Sequence, residues 1–280
     1  MNRVKIHAMP EFAVAVILGI VQGITEFLPI SSSGHLIITS ALIGEGDPRI
    51  KTFEVVIQFG SILAVILLYR RRFAALLLPG RFGESRPFSG IRGLYLLFLT
   101  CLPASLVGFF CYGYIKAHLF NPSSVALALV AGGLAMLLVE RMKHKEAVTS
   151  LDAITPGMAF GIGVCQCFSL WPGFSRSAST IMGGMLLGAK RGVAAEYSFI
   201  AAVPIMLAAT GFDLYRSASI LTANDLPFFL LGMCVSFFVA LLAIKLFVGL
   251  LGRISLAPFA WYRLALAPLV YWALRNITVS

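Results

Sequence analysis

A short polar segment between two apolar stretches carries the side chains best suited to chemistry. It runs from Gln22 to His35 and follows an aliphatic run that extends from Phe12 to Val21. Polar and ionisable groups are costly in apolar surroundings, so such a cluster indicates a functional site. Pro29 ends one helix, and the next residues offer N-caps for another. These N-cap candidates are Ser31, Ser32 and Ser33. A helix broken in this way presents free N–H groups and hydroxyls to an anion.

The ionisable residues of this segment have the spacing of a nucleophile and its base. His35 lies four residues after Ser31 and three after Ser32, so either hydroxyl can share its helix face. A serine and a histidine form a minimal nucleophile and base, but His35 could instead attack phosphorus or protonate a leaving oxygen. Glu26 could orient His35, act as a base or hold a hard divalent cation. Gln22, one turn earlier, can only donate and accept hydrogen bonds or ligate weakly.

The composition is that of a membrane protein. Of the 280 residues, 59% are hydrophobic and 12% are charged, and the mean hydropathy is +0.91. A soluble domain carries about 25% charged residues. The net charge of +10 does not indicate nucleic-acid binding, because the cations lie in short connections between apolar segments. The five cysteines lie in apolar surroundings and are predicted to be buried hydrophobic residues rather than disulfides or metal ligands.

The chain is predicted to be an all-α integral membrane protein with six transmembrane helices and two re-entrant helix hairpins. The first hairpin pairs residues 11–28 with 31–43 around Pro29, and each arm is too short to span comfortably. The second pairs residues 153–171 with 175–189 around Trp171-Pro172-Gly173. The six spans are predicted at residues 53–69, 93–115, 122–140, 193–215, 226–249 and 256–275.

Positive charge in the connections predicts the orientation of the chain. The cations at 70–92, 141–145 and 190–191, together with Arg253, can all lie on the cytoplasmic side, which places both termini outside. The N-terminus is expected to be retained, because no small-residue cleavage site follows Val21. Arg263 falls within the last predicted span, where structural pairing in the bundle interior or snorkelling is expected.

The two hairpins resemble each other in sequence. Gln22, Pro29 and Glu54 recur at nearly constant spacing as Gln166, Pro172 and Glu196. Apolar self-similarity alone would be uninformative, but these polar landmarks predict an inverted-topology repeat whose broken helices meet near the bilayer midplane. The copies cover residues 11–115 and 153–249 of a single membrane domain, 1–280, with flanking spans at 122–140 and 256–275.

In such a repeat, two helix N-termini converge on one anion. The first begins at Ser31–Ser33 and the second at Ser175–Thr180. Arg176 stays charged and offers a fork of donors that suits a phosphate group. Glu54 and Glu196 could either line the cavity or pair within the bundle. The predicted ligand is a polyanion.

Three motifs at these positions resemble those of a known family. Thr-Glu-Phe-Leu-Pro-x-Ser-Ser-x-Gly-His stands at residues 25–35, and Pro-Gly-x-Ser-Arg-Ser-x-x-Thr stands at 172–180. A third segment runs from Thr52 to Gln58. Together they resemble the bacterial undecaprenyl-diphosphate phosphatase family, also called bacitracin-resistance proteins. The resemblance implies an inner-membrane hydrolase that removes the terminal phosphate of undecaprenyl diphosphate and regenerates the lipid carrier for peptidoglycan and related polymers.

The resemblance also implies a set of site residues. The expected catalytic residues are Glu26, Ser32, His35 and Arg176. The expected substrate-binding residues are Gln22, Ser31, Ser33, Glu54, Gly173, Ser175, Ser177 and Thr180. The family's active site opens to the outer face of the cytoplasmic membrane and uses Mg²⁺ or Ca²⁺, for which Glu26 is the expected ligand. Many members carry Glu where this chain has Gln22, which leaves more of the chemistry to Glu26.

A transporter or flippase of an anionic lipid is the competing interpretation, because broken helices and inverted repeats are typical of secondary transporters. The discriminating feature is a His35 ring within reach of Ser31 or Ser32, which chemistry requires and transport does not. A structural scaffold would not explain a buried Glu26 and Arg176. The sequence does not decide between a monomer and a homodimer.

Overall fold

The structure, a computed structural model, describes residues 9–43, 48–78, 87–142, 146–217, 223–251 and 254–278. Within these ranges the chain is α-helical, apart from short 3-10 turns and one isolated β-bridge between Val148 and Ala189. Residues 79–86 of the 70–92 connection, residues 143–145 and Arg253, all used in predicting the orientation, lie outside the described residues. The prediction of an all-α fold is confirmed.

The first hairpin is formed by α1 (Glu11–Thr25) and α2 (Ser32–Leu42). Residues 26–30 form the turn between them, so α1 ends three residues before the predicted boundary. Ser31 is the N-cap of α2 and accepts a hydrogen bond from the Gly34 N–H at 3.3 Å. It does so with φ +74°, a left-handed conformation that is strained for serine.

The second hairpin has the same local construction. Helix α8 (Pro156–Gln166) continues as a 3-10 turn, and α9 (Arg176–Leu186) begins after the break. Ser175 is the N-cap of α9, with φ +78°. Gly173 has φ +101°, and a Cβ there would lie 2.5 Å from the Val125 carbonyl oxygen, so this break requires glycine. The matching caps agree with the predicted repeat, while the inverted orientation of the copies stays a prediction.

Within the described ranges, five helices are long and apolar enough to cross a membrane, which identifies a multi-pass membrane protein. These are α3 (Pro48–Leu68), α5 (Gly90–Phe110), α7 (Pro122–Arg141), α10 (Arg191–Ser217) and α11 (Leu226–Leu251). The sixth predicted span forms α12 (Ala257–Thr278), which contains Pro268 and Arg263 and is not among the five. The remaining short helices are α4 (Arg70–Leu77) and α6 (Tyr112–His118).

Packing between the two halves of the chain positions the breaks. Helices α1 and α3 pack on α11, α12 packs on α7, and α10 packs on both α3 and α9. Phe27, inside the first break, is fully buried and meets the Phe199 ring of α10 edge-on at 5.4 Å. An edge-on aromatic pair of this kind contributes roughly 0.5–1.5 kcal/mol. The first break is thereby anchored to the second half, next to α9.

Candidate active site

One cavity of about 290 Å³ takes its walls from both breaks. The first break and α2 contribute Glu26, Ser31, Ser32 and Ser33. The second break and the segments next to it contribute Ser169, Gly173, Ser175 and Arg176. Gln58 of α3 lines it as well, and Ile205, Met206 and Ala209 of α10 form an apolar side. The predicted convergence of two broken helices on one pocket therefore agrees with the geometry.

Glu26 connects the polar groups of this cavity. Its Oε2 accepts hydrogen bonds from Ser32 Oγ at 2.8 Å and from Gln22 Nε2 at 2.9 Å. Its Oε1 accepts from Arg176 Nη2 at 3.0 Å. The carboxylate therefore joins two residues of the first hairpin to one of the second, and it is a base already in contact with the Ser32 hydroxyl.

Arg176 is held by several groups but keeps donor capacity. Its Nη1 donates to the Ser198 carbonyl at 3.3 Å, and its guanidinium lies 5.4 Å from the centre of the Phe27 ring. Its Nε has no hydrogen-bond partner among the described residues. Because Nε is itself buried, contact with a phosphate group falls to the planar fork of this cavity-lining arginine, whose geometry suits such a group.

The two helix starts add to the positive character of the pocket. The N-caps Ser31 and Ser175 both line the cavity, and each accepts only one N–H of its helix, from Gly34 and Ala178 respectively. The first N–H groups of a helix lack intrahelical carbonyls, and the helix dipole favours an anion at this end. Both features favour a bound polyanion.

His35 could share a helix face with the hydroxyls of Ser31 and Ser32, but its ring nitrogens contact other groups. The Nδ1 of His35 lies 2.7 Å from the Ser31 carbonyl oxygen, which can only accept, so Nδ1 carries the proton. Its Nε2 then accepts from the Tyr262 hydroxyl at 2.8 Å, and the two rings stack at 5.6 Å. The four-residue spacing does bring His35 close to Ser31, but the ring contacts the Ser31 backbone carbonyl and not the Ser31 hydroxyl. The carboxylate of Glu26, not His35, is the base that contacts Ser32.

Four of the expected substrate-binding residues are not among the residues that line the cavity. Gln22 is buried behind Glu26, and Glu54 accepts from Ser40 on the neighbouring helix. Ser177 donates to the Leu28 carbonyl at 2.9 Å, which ties the second hairpin to the first break. Thr180 Oγ1 bonds the Arg176 carbonyl and Ser198 Oγ, at 2.9 and 2.6 Å. These side chains support the loops that carry the site.

Sequence reasoning missed several residues of the cavity. Gln58 lies one helical turn after Glu54, within the third motif, so a polar pair on one helix face was the available signal. Ser169 and the apolar residues of α10 carried no comparable signal. Arg263, which was expected to pair in the bundle interior or to snorkel, does not line the cavity but contacts both breaks from α12.

The oxygen donors of the cavity suit a hard divalent cation shared with a ligand. Glu26 supplies one carboxylate, and Ser32, Ser33 and Gln58 supply hydroxyl and amide oxygens. No group of three His, Cys, Asp or Glu residues that could hold a metal occurs in the described part of the chain. Mg²⁺ characteristically binds one or two carboxylates together with substrate phosphates, which this donor set allows.

The fold and site define an α-helical integral membrane protein with a carboxylate, a serine and a guanidinium between two broken helices. The family described as "Bacitracin resistance protein BacA" matches residues 15–269. The chain belongs to this family.

Curated relatives cover nearly the whole chain. A protein of Nitratidesulfovibrio vulgaris (strain DP4) is 58% identical over 94% of this chain and 98% of its own length. Proteins of Desulfovibrio desulfuricans and Lawsonia intracellularis are 56% and 51% identical, over 96% and 95% of this chain and 100% of their own lengths. All three are named undecaprenyl-diphosphatase. These names favour the enzyme over the transporter.

Proposed function

We propose that this membrane enzyme hydrolyses undecaprenyl diphosphate to undecaprenyl phosphate and inorganic phosphate, which recycles the carrier lipid for cell-envelope polymers and confers resistance to bacitracin. The observation that carries the proposal is the contact of Glu26 with both Ser32 and Arg176 inside one cavity. The names of the relatives support the substrate.

The diphosphate binds between the two helix starts. Arg176 and the first N–H groups of α2 and α9 offset its negative charge. The apolar side formed by Ile205, Met206 and Ala209 suits the first isoprene units of the lipid. Phosphoryl transfer depends mainly on such positioning and charge stabilisation, so the pocket supplies most of what the reaction needs.

Ser32 is the nucleophile that the contacts favour, because it lines the cavity and donates to a carboxylate. Its Oγ forms a bond to the terminal phosphorus while Glu26 takes the hydroxyl proton. Undecaprenyl phosphate leaves with the bridging oxygen. Glu26 passes the proton to that bridging oxygen and is ionised again. Water then attacks the phosphoserine while Glu26 takes one of its protons and returns it to the departing Ser32 Oγ, which releases inorganic phosphate and free Ser32. His35 holds the Ser31 carbonyl and thereby the cap of α2.

Glu26 would hold a divalent cation, Mg²⁺ or Ca²⁺, in this site. Such a cation would neutralise negative charge on the transferring phosphoryl group. The proposed site opens to the outer face of the cytoplasmic membrane, as the family resemblance implies.

Phosphate release from undecaprenyl diphosphate by the purified protein in detergent tests the function. We expect Ser32→Ala to lower kcat by about 100-fold or more, the usual effect of losing an activated nucleophile. The matched control is Ser61→Ala, a buried serine of α3 that bonds Ser236 away from the cavity and whose loss leaves turnover unchanged. No phosphate release by the unmodified protein would refute the function, and full turnover by Ser32→Ala would refute the nucleophile.

A further inference from the structure

Arg263 lies at the junction of the two breaks. It is fully buried on α12 and donates to the carbonyls of Pro29 and Gly173 at 3.5 and 2.9 Å. The Pro29 carbonyl belongs to the break of the first hairpin and the Gly173 carbonyl to the break of the second. Helix α12, which carries Arg263, lies outside both hairpins. A third bond, at 3.2 Å, reaches the Ala128 carbonyl of α7. One side chain therefore connects α7 with both broken helices.

The charge of Arg263 has no acidic partner in the described part of the chain. None of the salt bridges found there includes it. Its Nε has no hydrogen-bond partner in those ranges, and its other neighbours are the Met136 sulfur and the Phe174 ring. Burying a guanidinium without a carboxylate is costly, whereas an apolar side chain of similar volume would fill the same space at a lower cost in free energy. Packing alone therefore does not explain the buried positive charge, which indicates a functional role for it.

We infer that Arg263 is a positioning residue that supplies a permanent positive charge behind the diphosphate site. The inference rests on the proposed function, since it names the anion that this charge offsets. Gly173, whose carbonyl Arg263 holds, lines the cavity next to Ser175 and Arg176. The guanidinium binds the carbonyl oxygens of both breaks, and its field favours a polyanion in the cavity that they surround.

Gly132 of α7 leaves the space that the guanidinium occupies. A Cβ at this position would lie 2.7 Å from the Arg263 Cζ and would also collide with Nη2. A Cβ at the adjacent Gly133 would instead have the Ala260 carbonyl at 3.1 Å and the Leu264 side chain at 3.2 Å as its nearest neighbours, both on α12. Gly132→Ala therefore displaces the guanidinium, and Gly133→Ala controls for crowding between α7 and α12.

Binding of inorganic pyrophosphate to the detergent-purified protein, measured by titration calorimetry, tests the inference without relying on turnover. We expect Arg263→Gln, which keeps amide donors but removes the charge, to raise the Kd by about tenfold or more. Arg263→Lys, which keeps the charge, raises it by no more than about threefold. Gly132→Ala raises the Kd by about threefold or more, whereas Gly133→Ala leaves it unchanged.

Equal Kd values for the Gln and Lys variants would overturn the inference, because a purely structural clamp needs donors and not charge. A failure of the unmodified protein to bind pyrophosphate would also overturn it. If Arg263→Gln does not fold, the pyrophosphate affinities of Gly132→Ala and Gly133→Ala are compared instead. Equal Kd values for these two variants would contradict the inference. Pyrophosphate binding with the expected ranking but no hydrolysis of undecaprenyl diphosphate would refute the proposed function and leave the role of Arg263 standing.

Discussion

Replacing Glu26 with glutamine removes the negative charge that joins the two hairpins. Only 7% of its side chain is exposed, and it accepts hydrogen bonds from Ser32, Gln22 and Arg176 at 2.8 to 3.0 Å. Glutamine keeps the volume but replaces one acceptor oxygen with a donor. The Ser32 hydroxyl then loses its base, and Arg176 loses its counter-charge.

The expected loss can be estimated for chemistry and stability separately. Loss of a positioned general base lowers kcat by about 10²–10⁴-fold. Removing one partner of a buried ion pair lowers the free energy of unfolding by roughly 3–5 kcal/mol. Because the glutamine oxygen still accepts a hydrogen bond from Arg176, we expect a loss at the low end of this range, about 3 kcal/mol. The loss of turnover therefore exceeds anything that a partly unfolded population of the variant would produce at a temperature well below its Tm.

Glu140→Gln is a matched control for this prediction. Glu140 forms a two-bond pair with Arg191 at 2.9 and 2.8 Å, and 12% of its side chain is exposed, but it does not line the cavity. Phosphate release and thermal unfolding are measured in the same detergent. Both variants should unfold at a lower temperature, and only Glu26→Gln should lose turnover. A kcat for Glu26→Gln within about threefold of the unmodified enzyme would refute the role of Glu26 as the base.

Three further predictions use the same assay. Arg176→Lys should raise KM by about tenfold or more, because a single ammonium cannot replace the planar fork, and an unchanged KM would separate Arg176 from the substrate. His35→Ala should lower kcat by about tenfold or less, far below the effect of Ser32→Ala, because His35 bonds the Ser31 carbonyl rather than a reacting group; equal losses would assign His35 a step in the chemistry. Removal of divalent cations by a chelator should abolish phosphate release, and added Mg²⁺ or Ca²⁺ should restore it; a rate insensitive to the chelator contradicts cation binding at Glu26.

The breaks of the hairpins were predictable because their causes are local. Pro29 removes a helical N–H, and the serine after it caps the next helix within three residues, as Ser31 does with Gly34. The cause of the second break is also local, because the φ of +101° at Gly173 favours glycine over other residues. The convergence of the helices was predictable because the polar landmarks recur in order. Helix-breaking and capping residues, together with the internal repeat, were sufficient to predict where the hairpins break and that the breaks lie close together.

The partners of individual side chains were not predictable, because they depend on helices that are distant in sequence. The spacing allowed His35 to share a helix face with the Ser31 and Ser32 hydroxyls, but the Tyr262 hydroxyl, 227 residues away in sequence, bonds its Nε2. Ser177 and Thr180 belong to the motif, yet their hydroxyls bond the Leu28 carbonyl and Ser198. Arg263 reaches both breaks only because α12 packs against α7 beside Gly132. Helix periodicity places a residue on a face, but it does not identify what lies opposite.

The most direct test of a shared site is an experimental structure with a lipid analogue whose diphosphate bridge is replaced by a methylene group. The two phosphorus atoms should lie between the starts of α2 and α9, with Arg176 and the Ser32 hydroxyl both within hydrogen-bond distance of the phosphonate oxygens. Phosphonate density that contacts only one hairpin, or that lies outside the cavity bounded by Glu26 and Gly173, would contradict a site built jointly by the two broken helices.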